Sequence, residues 1–134
     1  MKKLTILFLV ILSSAAFAQV PSKIVLHLQS ADTVVHRSLV NQVSNLKKAF
    51  PEASIELVCH GPGLNFLLKE KSKYADKLNS LKVKDFNMVG CEFTMKSHNY
   101  TKADLVPYTG TVPFGIAELA KKQAEGWVYI KLGF

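Results

Sequence analysis

A chain of 134 residues with 17 Lys and Arg against 10 Asp and Glu carries a net charge of +7, and 49% of it is hydrophobic. That is enough for one domain with an ordinary core, which excludes a disordered or fibrous protein. The sequence has a single arginine, Arg37, and its lysine run (Lys69, Lys71, Lys73, Lys77, then Lys82 and Lys84) has no interleaved aromatics, so it reads as a solvated face and nucleic acid is not an expected partner.

Residues 1–18 read as a signal peptide. Lys2 and Lys3 form a positive start, Leu4 to Leu12 is apolar apart from Thr5, and Ala16-Phe17-Ala18 gives a small-x-small cleavage site before Gln19. The apolar run is short for a membrane span, and no later segment is long and apolar enough to be one. The expected mature protein, residues 19–134, is therefore soluble and exported, periplasmic or secreted, with no membrane contact.

Lys23 to Gln29 predicts a buried strand. Asp32 is a candidate N-cap for a helix whose apolar positions Val35, Leu39, Val43, Leu46 and Phe50 recur at three- and four-residue spacing, with Pro51 as its stop. Ser54 to Cys59 predicts a second strand, and Gly61-Pro62-Gly63 turns the chain into a helix near Leu64 to Glu70. Another helix, near Tyr74 to Leu81, precedes a third strand ending near Val89.

Gly90-Cys91-Glu92-Phe93-Thr94-Met95 then places a cysteine between a strand and a helical turn. Free backbone N–H groups at such a position favour thiolate, so Cys91 is the first candidate for chemistry. Thr101 to Asp104 has the pattern of a capping box. A loop or short strand follows near Tyr108 to Val112, then a helix over roughly Phe114 to Ala124 with Ile116, Leu119 and Ala120 as its inner face. Gly126 ends it before a last strand, Trp127 to Lys131.

Alternating strands and helices predict an α/β fold: a three-layer α/β/α sandwich around a mostly parallel five-stranded sheet. In that architecture ligands bind beyond the carboxyl ends of the strands. Gln29 to Asp32, Cys59-His60-Gly61 and Gly90-Cys91 all map to that edge.

Two cysteines in an exported chain raise the question of pairing. Cys59 reads as a core thiol, or as the redox partner of Cys91 if the two strand ends bring their Cα atoms within about 7 Å. His60 is a weak accessory candidate that would orient or deprotonate the thiol. His27 reads as a core or interface histidine, and His36 and His98 as exposed. Cys59, His60, Cys91 and His98 do not make a convincing metal set, because adjacent strand residues face opposite ways. Gly61-Pro62-Gly63 lacks the spacing of a dinucleotide or phosphate loop. No metal or cofactor is expected.

Taken in order, the His27-Leu28 end of the first strand, Asn45-Leu46, Glu56-Leu57-Val58-Cys59-His60-Gly61-Pro62-Gly63, Cys91 to Met95 and Gln123 to Lys131 resemble the DsrE/DsrF-like family, in its exported branch. The resemblance spans the region after the signal peptide. It implies a homo-oligomer, a trimer or hexamer, and a sulfur relay in which Cys91 carries a persulfide between a donor and an acceptor protein. Two alternatives stand beside this thiol-based carrier or sulfurtransferase-like protein. One is a non-enzymatic oligomer binding a small ligand at the strand edge; the other is a Cys59/Cys91 redox dithiol.

Overall fold

The computed structural model describes residues 20–133. The expected signal peptide, 1–18, lies outside the described residues. Five strands, β1 (Lys23–Leu28), β2 (Ser54–Cys59), β3 (Phe86–Cys91), β4 (Gly110–Val112) and β5 (Val128–Leu132), form one sheet. Four helices join them: α1 (Thr33–Ala49), α2 (Ala75–Ser80), α3 (Glu92–Ser97) and α4 (Gly115–Ala124). Two 3-10 turns, Gly61–Phe66 and Lys102–Asp104, complete the connections.

Every strand pair is parallel and the order is β4-β3-β2-β1-β5. The chain steps outward from β1 to β4, then returns across the whole sheet through α4 to place β5 on the other side of β1. Right-handed crossovers put steps in opposite directions on opposite faces. Hence α1 and the β2–β3 connection cover one face and α4 the other, which is an α/β sandwich of three layers.

The two faces differ in kind. On the α1 side Ile24, Leu26, Leu28, Ile55, Leu57, Cys59, Met88 and Leu132 join Leu39, Val40, Val43 and Phe66 in a large apolar core. The alternate residues face α4, where the apolar cluster is only Val25, Val58, Val89 and Leu119, with Val112 and Trp127 against it. The rest of that face is polar.

Local chemistry sets the boundaries. Asp32 caps α1, its carboxylate accepting the Val34 N–H at 2.7 Å. The side chain and backbone of Thr101 and Asp104 close the expected capping box around the second 3-10 turn. Gly63 has no room for a side chain: a Cβ there would fall 2.2 Å from the carbonyl oxygen of Leu28. The turn after β2 is thereby pressed onto the end of β1, so that the strand carboxyl ends form one edge.

Two expectations about faces fail. His36 is buried, bonded through Nε2 to the Ser30 carbonyl and set edge-on to Phe66. In α4 only Leu119 of the three expected inward residues is buried, with Gly115, while Ile116 and Ala120 are exposed. Instead Glu118 and Lys122 turn inward. The Lys122 ammonium reaches buried Glu56 at 3.0 Å and Glu118 at 3.5 Å, and lies 4.2 Å from the centre of the Trp127 ring. Asn87 donates to the same Glu56 oxygen at 2.6 Å.

Candidate functional site

The site is a diagonal row of side chains on the α4 face at the carboxyl edge. In β1 the residues facing α4 are Val25 and His27. In β2 they are Glu56 and Val58, and the extended backbone of His60 continues the alternation. In β3 they are Asn87, Val89 and Cys91. Because Cys59 pairs with Gly90, His60 comes level with Cys91 on the neighbouring strand. Because His27 pairs with Val58, it stands one step below His60. Tyr129, which pairs with Val25, is one step below His27 on β5.

These neighbours touch. Tyr129 Oη is 2.6 Å from His27 Nδ1, and His27 Nε2 is 2.6 Å from His60 Nε2. The imidazole centroids are 4.7 Å apart with planes 15° from parallel. That separation is close to the N···N distance plus two ring radii, so the rings meet edge to edge in nearly one plane rather than face to face. A nitrogen pair at this distance holds one proton between them, one ring donating and the other accepting. Burial first, then His60 and Lys131, pulls the His27 pKa down to about 4. Burial also lowers that of His60. Both rings are neutral at pH 7.

Cys91 ends β3 and is the N-cap residue of α3, with only 5% of its surface exposed. Its sulfur accepts the N–H of Gly115, the first residue of α4, at 3.2 Å. A Cβ on Gly115 would lie 2.9 Å from Cβ of His60 and 3.3 Å from Cβ of Cys91, so the two functional residues flank one glycine. Burial opposes ionisation of Cys91. The Gly115 N–H, the Thr94 hydroxyl and amide and the Phe93 amide outweigh it, and hold the thiol below its ordinary value. Phe93 N–H is also committed to the Pro113 carbonyl and Thr94 Oγ1 accepts from Gly61 N–H, so Gly115 carries the most weight. With α3 only six residues long, these local donors matter more than any helix macrodipole.

Cys59 does not join them. It projects into the large core on the other face, fully buried, and burial pushes its thiol up. Both cysteines are free. The dithiol alternative is corrected here: Cys59 and Cys91 lie on opposite faces of the sheet. His98 is exposed at the end of α3, away from Cys59. Among the described residues no group of three or more His, Cys, Asp and Glu converges as a metal site.

Sequence reasoning named Cys91 and His60 as site residues, read His27 as a core or interface histidine, and gave Tyr129 and Gly115 no part in the site. The missed signal is a shared spacing: Val25-x-His27, Val58-x-His60 and Val89-x-Cys91 each put a reactive side chain two residues beyond a buried valine.

The family model that describes DsrE/DsrF-like proteins matches residues 7–132. The chain belongs to the DsrE/DsrF-like family. The solved structure of MTH1491 from Methanobacterium thermoautotrophicum, a protein of unknown function, is similar with a TM-score of 0.76 and 26% sequence identity. The match covers 81% of this chain and 97% of that one. No curated protein matches the chain. This family member has the all-parallel five-stranded sheet described above, and no described helix is long and apolar enough to cross a membrane.

Proposed function

We propose that the protein is an exported, thiol-based sulfur carrier with Cys91 as its carrier atom. The observation that carries this reading is the Gly115 N–H on Cys91 Sγ, a preorganised donor for an anionic sulfur in a water-poor setting. In loading, the Cys91 thiolate attacks a sulfur of a polysulfide. A new S–S bond forms, the old one breaks, and the shortened polysulfide leaves with the electron pair. In unloading, an acceptor thiolate attacks the outer sulfur and Cys91 departs as thiolate. The same donors stabilise Cys91 as nucleophile and as leaving group.

Intact-mass measurement after exposure to polysulfide tests the reading. Wild type gains one sulfur, located on Cys91 by peptide mapping, and Cys91→Ser gains none. A gain that survives the substitution overturns it. Export predicts that protein recovered from a secreting host begins at Gln19; an intact Met1 end rejects that part.

A second reading, a binding protein for a small ligand, rests on a 260 Å³ cavity at the same edge. Gly61, Asn65, Lys71, Thr94, His98 and Tyr100 are in its wall. On that reading Cys91→Ser leaves binding and assembly intact.

A further inference from the structure

The 260 Å³ cavity at the strand carboxyl edge has a charge character that follows from how its wall is built. Lys71 comes after the first 3-10 turn and is fixed by its backbone N–H on the Leu68 carbonyl at 3.0 Å. Tyr100 comes after α3. Asn99 before it takes a left-handed φ of 58°, which asparagine tolerates, and the Tyr100 N–H closes back on the Met95 carbonyl at 2.8 Å. The two side chains meet in the cavity wall, where Lys71 Nζ donates to Tyr100 Oη at 2.6 Å. An ammonium has only protons to give, so the phenol oxygen is the acceptor there and its own O–H remains to be donated.

Among the described residues Lys71 is in no ion pair, and no Asp or Glu lines the cavity. Two adjacent donors, one of them cationic, without a carboxylate to share, fit one oxyanion group. Asn65 adds a neutral amide, while Pro62, Leu64 and the Tyr100 ring give the wall an apolar part. At about 30 Å³ per water, the volume holds more than a bare tetrahedral oxyanion would fill.

We propose that this cavity binds a short organic anion, a carboxylate or sulfonate of a few carbons, with its charged end on Lys71 and Tyr100, and that its occupancy is felt at Cys91 through Thr94. Thr94 is in the cavity wall and also acts on the thiol. Its Oγ1 accepts the Gly61 N–H at 3.0 Å, which leaves the hydroxyl proton for the Cys91 sulfur. A bound anion competes for that proton, and its charge disfavours a second anion close by. Occupancy and thiolate therefore oppose each other, and the opposition is reciprocal. This site rests on the small-ligand reading of the cavity and requires no sulfur transfer by Cys91.

The test is a titration of isotopically labelled protein with propionate and with its neutral isostere propionamide, at constant ionic strength, followed by amide NMR. Propionate should shift Asn65, Lys71, Thr94 and Tyr100 saturably, and propionamide should not. Lys71→Met and Tyr100→Phe should each weaken propionate binding by about three- to tenfold, the scale of one hydrogen bond to a charge at an exposed site, while Lys71→Arg should retain it. Saturating propionate should slow iodoacetamide alkylation of Cys91 at pH 7 by about two- to fivefold, the scale of a screened charge pair. Equal shifts from both probes would keep the small-ligand reading and overturn the anionic site, as would propionate binding that survives Lys71→Met. Sulfate bound more tightly than propionate would assign the cavity to inorganic oxyanions and reject the organic body. Propionate that binds yet leaves alkylation unchanged would end the link through Thr94. Shifts from neither probe would remove the site and leave the sulfur-carrier reading standing.

Discussion

At Gly115 a single added methyl would sit 2.9 Å from Cβ of His60 and 3.3 Å from Cβ of Cys91, both on backbone-anchored atoms that cannot swing away. Gly115→Ala must therefore push the start of α4 outward and lengthen the N–H···S contact. Overpacking of this kind costs about 1–3 kcal/mol, so thermal or denaturant unfolding should show a loss of that order. The pH at which Cys91 begins to alkylate should rise with it; an unmoved inflection would mean that Gly115 is not the decisive donor. His27 gives a prediction of opposite character. Its pKa falls from 6.5 to about 4 in the folded protein, so between those values the unfolded chain binds a proton that the folded one refuses. Stability is then fully present above about pH 6.5 and is lost progressively as the pH falls toward 4. Denaturant midpoints between pH 7 and 4.5 should fall less steeply in His27→Gln, which does not titrate. Equal slopes in the two proteins would contradict the neutral, buried imidazole.

The helix α4 shows where the sequence misleads at the scale of an element. Its hydrophobic spacing nominates Ile116, Leu119 and Ala120 for the inner face, yet the helix turns Glu118 and Lys122 toward the sheet. The reason lies 66 residues away in Glu56, whose carboxylate is buried on that face and draws the ammonium over it. No local pattern encodes that partner. By contrast Asp32, the Thr101–Asp104 box and the three branched-apolar strands act through their near neighbours, and each was legible. Strand order and lateral register were not, because parallel pairing joins segments through long crossovers. His27 and His60, 33 positions apart, thus looked unrelated. The buried pair itself is testable. Lys122→Met leaves Glu56 without its cation and should destabilise the fold by about 3–5 kcal/mol, whereas Lys122→Met with Glu56→Leu should recover most of that loss. A single variant as stable as wild type, in urea unfolding, would show that the ion pair is dispensable.

For the whole molecule, the open question is what lies against the mouth of the Cys91 site. Phe93 and Ile116 are 61% and 60% exposed, Phe114 is 57% exposed, and the Phe93 and Phe114 rings pack 5.9 Å apart. Phe93 follows Cys91 by two residues, while Phe114 and Ile116 bracket Gly115, so this apolar rim surrounds the thiol and its donor. Burying one such side chain contributes about 1.5–3 kcal/mol, which makes three together a strong drive to association. The homo-oligomer implied by the family resemblance would use that drive, and would also explain why α4 spends Ile116 on its outer side. Sedimentation at micromolar protein should then give a mass above the monomer. Phe114→Asp with Ile116→Asp should shift it toward one chain, because each new carboxylate would have to be buried unpaired in the contact. Alkylation of Cys91 should speed up in the same variant as its mouth is uncovered. A wild type that sediments as a monomer at every concentration would reject assembly through this rim. The three side chains would then be left to meet an acceptor protein, and the variant should lose sulfur transfer to that acceptor while its own persulfide loading persists.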